Sequence, residues 1–130
     1  MANYRKMAAP TPDPESQPFW DAATQGKFLV RKCNGCGKVH WYPRTICPFC
    51  ASDETEWVDG KGTGTIYTYT VMRRAKEPYV VAYVELDEGP KMLTNIVECD
   101  VDSVEIGQQV ELVWVPTTED GPPVPCFKPA

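Results

Sequence analysis

Four of the six cysteines in this chain stand as two Cys-x-x-Cys pairs, Cys33/Cys36 in KCNGC and Cys47/Cys50 in CPFC, with ten residues between them. A Cys-x-x-Cys turn presents two sulfurs to one ion, and two such turns complete the tetrahedral set that Zn2+ takes, with Zn–S near 2.3 Å. Gly37 supplies the backbone freedom that a tight knuckle needs, and Pro48 fixes φ inside the second one. A closed set of four thiolates leaves no open position for water, so the chemistry expected is structural and not hydrolytic. The same residues also admit a rubredoxin-like iron centre, disulfides or a redox dithiol. A redox pair normally precedes a helix in a strand–helix–strand unit, and no such unit follows here. His40 is the single histidine and has no partner for a catalytic dyad, so packing or an outer hydrogen bond to the metal site is its expected role, ahead of ligation.

The elements that must position these thiols are short. Phe28–Lys32 reads as a strand delivering the first knuckle and Lys38–Tyr42 as the strand leaving it, broken by Pro43. Ahead of them, 14–26 reads as a brief helix with Ser16 at the N-cap and Gly26 as the stop. Phe19, Trp20 and Ala23 form its apolar side and must pack on something else. Trp20 is a candidate for the rim of a ligand or partner slot as well as for the core. Trp41 carries the same two readings, with Tyr42 beside it as core of the small lobe. Residues 1–13 read as a flexible arm, and 51–59 as a polar connector anchored by Trp57.

Beyond Gly60 the pattern becomes five β runs: Gly64–Val71, Tyr79–Leu86, Met92–Val97, Gln109–Val115 and Val124–Lys128. Only a loop or one helical turn fits at 100–106. The fold expected is mainly β: a short N-terminal helix and metal ribbon over 14–59, then a five-stranded, partly open Greek-key barrel of OB type over 60–130, with an SH3-like barrel as the alternative.

Charge is unevenly spread. Residues 1–26, 27–76 and 77–130 sum to −1, +5 and −9, within a net charge of −5. Arg31, Lys32, Lys38 and Arg44 would offset the formal −2 of a zinc tetrathiolate. Equally, the basic middle, with Arg73 and Arg74 in the turn after the first barrel strand, would receive an anionic ligand or an acidic partner. No apolar signal core or membrane-length run is visible, which points to a reducing cytoplasm and favours metal over disulfide. The run GKGTG at 60–64 leads into a strand and lacks the Gly-Lys-Ser/Thr end of a phosphate loop. Cys99 and Cys126 read as buried small hydrophobes. Nothing assembles a catalytic set.

The Phe-Trp helix, LVRKCNGCGKVHWYPRTICPFC and the Gly-Thr-Gly entry into an aromatic strand together closely resemble a family formerly known only as a domain of unknown function, in which a rubredoxin-like zinc ribbon is joined to an acyl-CoA-associated OB fold. The resemblance spans 14–130. It implies structural zinc at Cys33, Cys36, Cys47 and Cys50. It further implies an accessory subunit in a hetero-oligomer with a thiolase-fold enzyme: a thiolase, a sterol-carrier-type thiolase or aldolase, or a hydroxymethylglutaryl-CoA synthase. Such an assembly would serve isoprenoid precursor synthesis or breakdown of aromatic or steroid acyl-CoA esters, with CoA or an acyl-CoA as a possible ligand. Arg73 and Arg74 are the residues offered for phosphate or partner contact. The competing reading, from both modules, is single-stranded nucleic-acid binding with Tyr67 and Tyr69 stacking on bases, opposed by the acidic barrel segment.

Overall fold

A computed structural model describes residues 4–130. Helix α1 spans Gln17–Ala23, and the eight strands are β1 (Leu29–Cys33), β2 (Val39–His40), β3 (Thr55–Asp59), β4 (Thr63–Met72), β5 (Tyr79–Leu86), β6 (Lys91–Ile96), β7 (Gln109–Val115) and β8 (Val124–Pro129). The first three strands form a small antiparallel sheet in the order β2-β1-β3, and the other five close into a barrel in the order β4-β5-β6-β8-β7. That order, with β4 also pairing β7 through Thr63–Thr65, is the five-stranded Greek-key arrangement expected of an OB fold. The barrel is closed where the sequence suggested a partly open one. Closure follows from β4, ten residues long, which pairs β5 along most of its length and bends at a bulge between Ile66 and Thr68. At Gly64 a Cβ would lie 2.6 Å from the Glu85 carbonyl oxygen, so only glycine lets β4 pass so close to β5.

The helix is shorter than the 14–26 run that encodes it. Ser16 occupies the N-cap position, but its hydroxyl makes no cap bond to the helix. Instead it accepts the Asp13 N–H, while Asp13 Oδ1 accepts the Ser16 N–H at 2.8 Å. Gly26, at φ +76°, turns the chain so that the Lys27 N–H reaches the Ala22 carbonyl. Glu15 ties this segment to the second knuckle by accepting the Thr45 N–H at 2.6 Å, and that bond holds its carboxyl below the usual range.

Two departures from the expected elements have clear causes. The strand leaving the first knuckle is only Val39–His40, because the chain turns at Trp41 ahead of Pro43. Residues 55–59, read as connector, form β3, which pairs with β1 from Leu29↔Asp59 to Cys33↔Thr55. Its acidic residues hid an alternation in which Thr55 and Trp57 are half-buried and Glu56 is exposed. Residues 4–13 are irregular, as expected of an arm, yet they lie on the barrel. Tyr4 donates to Glu98, Arg5 stacks 3.8 Å over the Tyr79 ring, and the Met7 carbonyl accepts the Thr118 N–H. No described helix is long and apolar enough to cross a membrane.

The core runs without interruption from helix to ribbon to barrel. Phe19, fully buried, is its junction: its ring lies 4.9 Å from Trp20, 5.0 Å from Trp41 of the ribbon and 6.1 Å from Trp114 of β7, mostly edge to face. Phe19→Ala is therefore expected to cost about 3–5 kcal/mol in reversible denaturation, the range for truncating a buried aromatic. A loss below about 1 kcal/mol would mean that the two lobes do not share a core.

Candidate metal centre and adjoining groove

Each knuckle closes on itself by the same device. Behind Cys33, the Gly37 N–H returns to the Cys33 carbonyl and the Cys33 N–H reaches Lys38. Behind Cys47, the Ala51 N–H returns to the Cys47 carbonyl and the Cys47 N–H reaches Ser52. Gly37 at φ +78° and Ala51 at φ +64° hold equivalent left-handed positions. These turns bring Cys33, Cys36, Cys47 and Cys50 together with all four sulfurs within 4.8 Å of one another. The Cys33–Cys50 and Cys36–Cys47 separations are 3.6 and 3.7 Å. A tetrahedral Zn–S4 unit with bonds near 2.3 Å has edges of about 3.8 Å, so the donor set fits zinc in number, type and size. None of the six cysteines is bridged to another in this structure.

Electrostatics lead to the same requirement. The Cys33 thiol is drawn down to about 7, chiefly by the Cys36 N–H that points at its sulfur. At Cys50 the Ser52 backbone acts to lower the pKa, but the bond to Cys33, desolvation and the other two sulfurs outweigh it and push the value up to about 12. The first thiolate is easy to form and the last is not. Only a bound cation lets four of them coexist.

His40 is buried with Nε2 3.2 Å from the Arg44 carbonyl and lies outside the sulfur cluster. It therefore clasps the approach to the second knuckle in the packing role expected of it, while its hydrogen bond goes to a backbone carbonyl and not to a cysteine sulfur. Arg31 bonds the Thr55 hydroxyl and lies 4.8 Å over Trp57, and Lys38 sits 5.1 Å over Phe49.

Trp20 and Trp41, far apart in sequence, line one groove of about 700 Å³ between ribbon, arm and barrel. Trp20 is 8% exposed and anchors the groove from the core, while Trp41 is half-buried. Among the described residues the cations of this groove are Arg5, Lys6 and Lys91, no carboxylate is in its lining, and Glu85 pairs with Lys91 at 3.5 Å from outside it. Sequence reasoning missed these three because the arm was read as free and Lys91 follows a hairpin turn. The available signal was the Tyr-Arg-Lys at the front of the arm. Cys126 lies at the groove with its thiol pushed up to about 11 by burial, which keeps it unreactive. Arg73 and Arg74 are elsewhere, exposed in the β4–β5 turn and absent from the groove lining. Arg73 pairs with Asp102 at 2.7 Å in an exposed bridge.

Comparison with known proteins agrees with this geometry. Residues 20–56 match the ChsH2 rubredoxin-like zinc ribbon domain and residues 57–115 the ChsH2 C-terminal OB-fold domain. A DUF35 domain-containing scaffold protein of Methanothermobacter thermautotrophicus is 41% identical over 97 residues, covering 69% of this chain and 73% of that protein. A probable enoyl-CoA hydratase alpha subunit of Thermomonospora curvata is 36% identical over 118 residues, covering 86% of this chain, which spans only 37% of that protein's length. Among solved structures, a chain of the Ltp2-ChsH2(DUF35) aldolase superposes with a TM-score of 0.79 at 33% identity, over 92% of this chain and 98% of that one. With its four-cysteine ribbon and five-stranded barrel, the chain belongs to the ChsH2-type DUF35 scaffold family.

Proposed function

We propose that this chain is the zinc-clamped, non-catalytic scaffold subunit of an enzyme complex that acts on acyl-CoA esters, with a thiolase-fold partner supplying the catalytic groups. The observation that carries the reading is the joined architecture: a rigid thiolate ribbon fused through Phe19 to a barrel, with a cationic, aromatic groove at the seam. The single histidine, His40, is buried inside the ribbon beside the Arg44 carbonyl and away from the groove, and Cys126 is held as a neutral thiol. The relative named as an enoyl-CoA hydratase alpha subunit supports the acyl-CoA context, and the Ltp2-ChsH2(DUF35) aldolase supports assembly with an enzyme. The groove suits part of a CoA ester, since Arg5, Lys6 and Lys91 offer donors to phosphate while Trp20 and Trp41 offer an apolar wall. Arg73 keeps a weaker claim to partner contact, because Asp102 already neutralises it. The nucleic-acid reading loses support from the −9 charge of residues 77–130, most of the barrel.

Within this reading Cys33, Cys36, Cys47 and Cys50 are the ligands of one structural zinc. Elemental analysis of protein purified without added metal is expected to give one zinc per chain. Cys33→Ser or Cys47→Ser should lose it, and chelation should lower the unfolding midpoint by more than about 10 °C, because structural zinc contributes on the order of 10 kcal/mol in small modules. An unchanged midpoint after complete metal removal would contradict the assignment. Co-expression with a thiolase-fold enzyme of the same organism is expected to yield a complex that survives gel filtration at micromolar concentration and binds CoA, more weakly with Trp41→Ala. Separate elution of the two proteins would overturn the scaffold role.

A further inference from the structure

The barrel carries an apolar band that neither the ribbon nor the groove accounts for. Tyr67 on β4, Tyr83 on β5 and Leu93 on β6 are 55%, 45% and 56% exposed, which is unusual for three large apolar side chains on neighbouring strands. The pairing makes them one row. Tyr83 stands directly opposite Leu93, and Thr68 opposite Tyr83. Tyr67 is the residue skipped at the β4 bulge, between Ile66↔Val84 and Thr68↔Tyr83. A bulge re-aims a side chain, and here it leaves Tyr67 exposed, with Lys91 Nζ 4.7 Å over its ring. Beside Tyr83 and Leu93 lies an apolar hollow of about 220 Å³, floored by Thr68, Thr70 and Ala82, among others.

We infer that this band is the surface on which the catalytic subunit docks, and that the matching patch on that subunit presents an apolar side chain to the hollow, flanked by carboxylates. The inference rests on the scaffold reading above and names its contact face. Aromatic anchors beside a pocket are what protein interfaces are built around. Lys91, 3.5 Å from the Glu85 carboxylate in an exposed bridge, lines the groove together with Arg5, Lys6, Tyr83 and Leu93, so the net flanking charge comes from Arg5 and Lys6. Band and groove are therefore continuous, and an enzyme seated on the band has the groove at its edge. In a chain of net charge −5, this cationic rim selects an acidic partner surface. It also disfavours a second copy, since a two-fold contact across this face would bring Arg5 and Lys6 of both copies together.

The test is the affinity of the chain for the thiolase-fold enzyme with which it co-purifies, measured by titration without CoA. Tyr67→Ala with Leu93→Glu is expected to weaken the complex at least ~30-fold, the level expected of interface hot spots. Zinc content and unfolding midpoint should hold, since both side chains are exposed. Ile46→Ser with Phe49→Ser, on the exposed apolar tip of the second knuckle, should change affinity less than about threefold. Wild-type binding with no loss in the band variant, or loss confined to the knuckle variant, would overturn the docking face and leave the scaffold role intact. A homodimer abolished by the band variant while the complex persists would also overturn it. No complex with the wild-type chain would remove both readings.

Discussion

Four sulfurs within 4.8 Å of one another cannot all be thiolates unless a cation stands between them, and that electrostatic constraint organises the whole N-terminal lobe. A ribbon with a two-residue β2 has little core of its own. Clamping the two knuckles holds β1 and β2 in register and sets where the chain can turn at Trp41. The metal's contribution is thus transmitted outward as geometry, through backbone bonds such as Cys33 N–H to Lys38 and Cys47 N–H to Ser52.

That geometry matters because the ribbon's far side is apolar. Trp41 and Phe28 reach Phe19, and Phe19 reaches Trp114 of the barrel, so that a metal knot and a barrel share one core through a seven-residue helix. A helix that short does not persist alone; it forms because its buried face is wanted from two directions. The groove is a consequence of the same join. Its walls come from helix, ribbon, barrel and arm, and its cations come from positions 5, 6 and 91, so it exists only when all four are assembled.

The four-cysteine cluster and most of the barrel were legible in the sequence because their signals are local. Cys-x-x-Cys spacing encodes a knuckle within four residues, and the alternation of Tyr79–Leu86 and Gln109–Val115 gave both strands their observed bounds. Where the deciding contact is distant, the sequence misled. The third ribbon strand was hidden because an edge strand exposes its acidic residues, leaving Trp57 as the visible clue. The arm looked free because its partners, Tyr79, Asn95 and Thr118, lie 74 to 111 residues away. Arg73 and Arg74 were offered for phosphate or partner contact because adjacent cations on a turn are conspicuous, yet the groove's cations are Arg5, Lys6 and Lys91. Adjacency in sequence is a poor guide to which charges share a cavity. Trp20 and Trp41 could be singled out because an aromatic residue on a short element must have a tertiary partner, and both line the groove.

Everything in this account stands on a single ion bound by four cysteines, and X-ray absorption at the zinc edge of the purified protein examines that bond directly. The account predicts a shell of four sulfur scatterers at about 2.3 Å with no nitrogen or oxygen component. A mixed shell containing a nitrogen, or sulfurs joined to one another with no metal present, would contradict it.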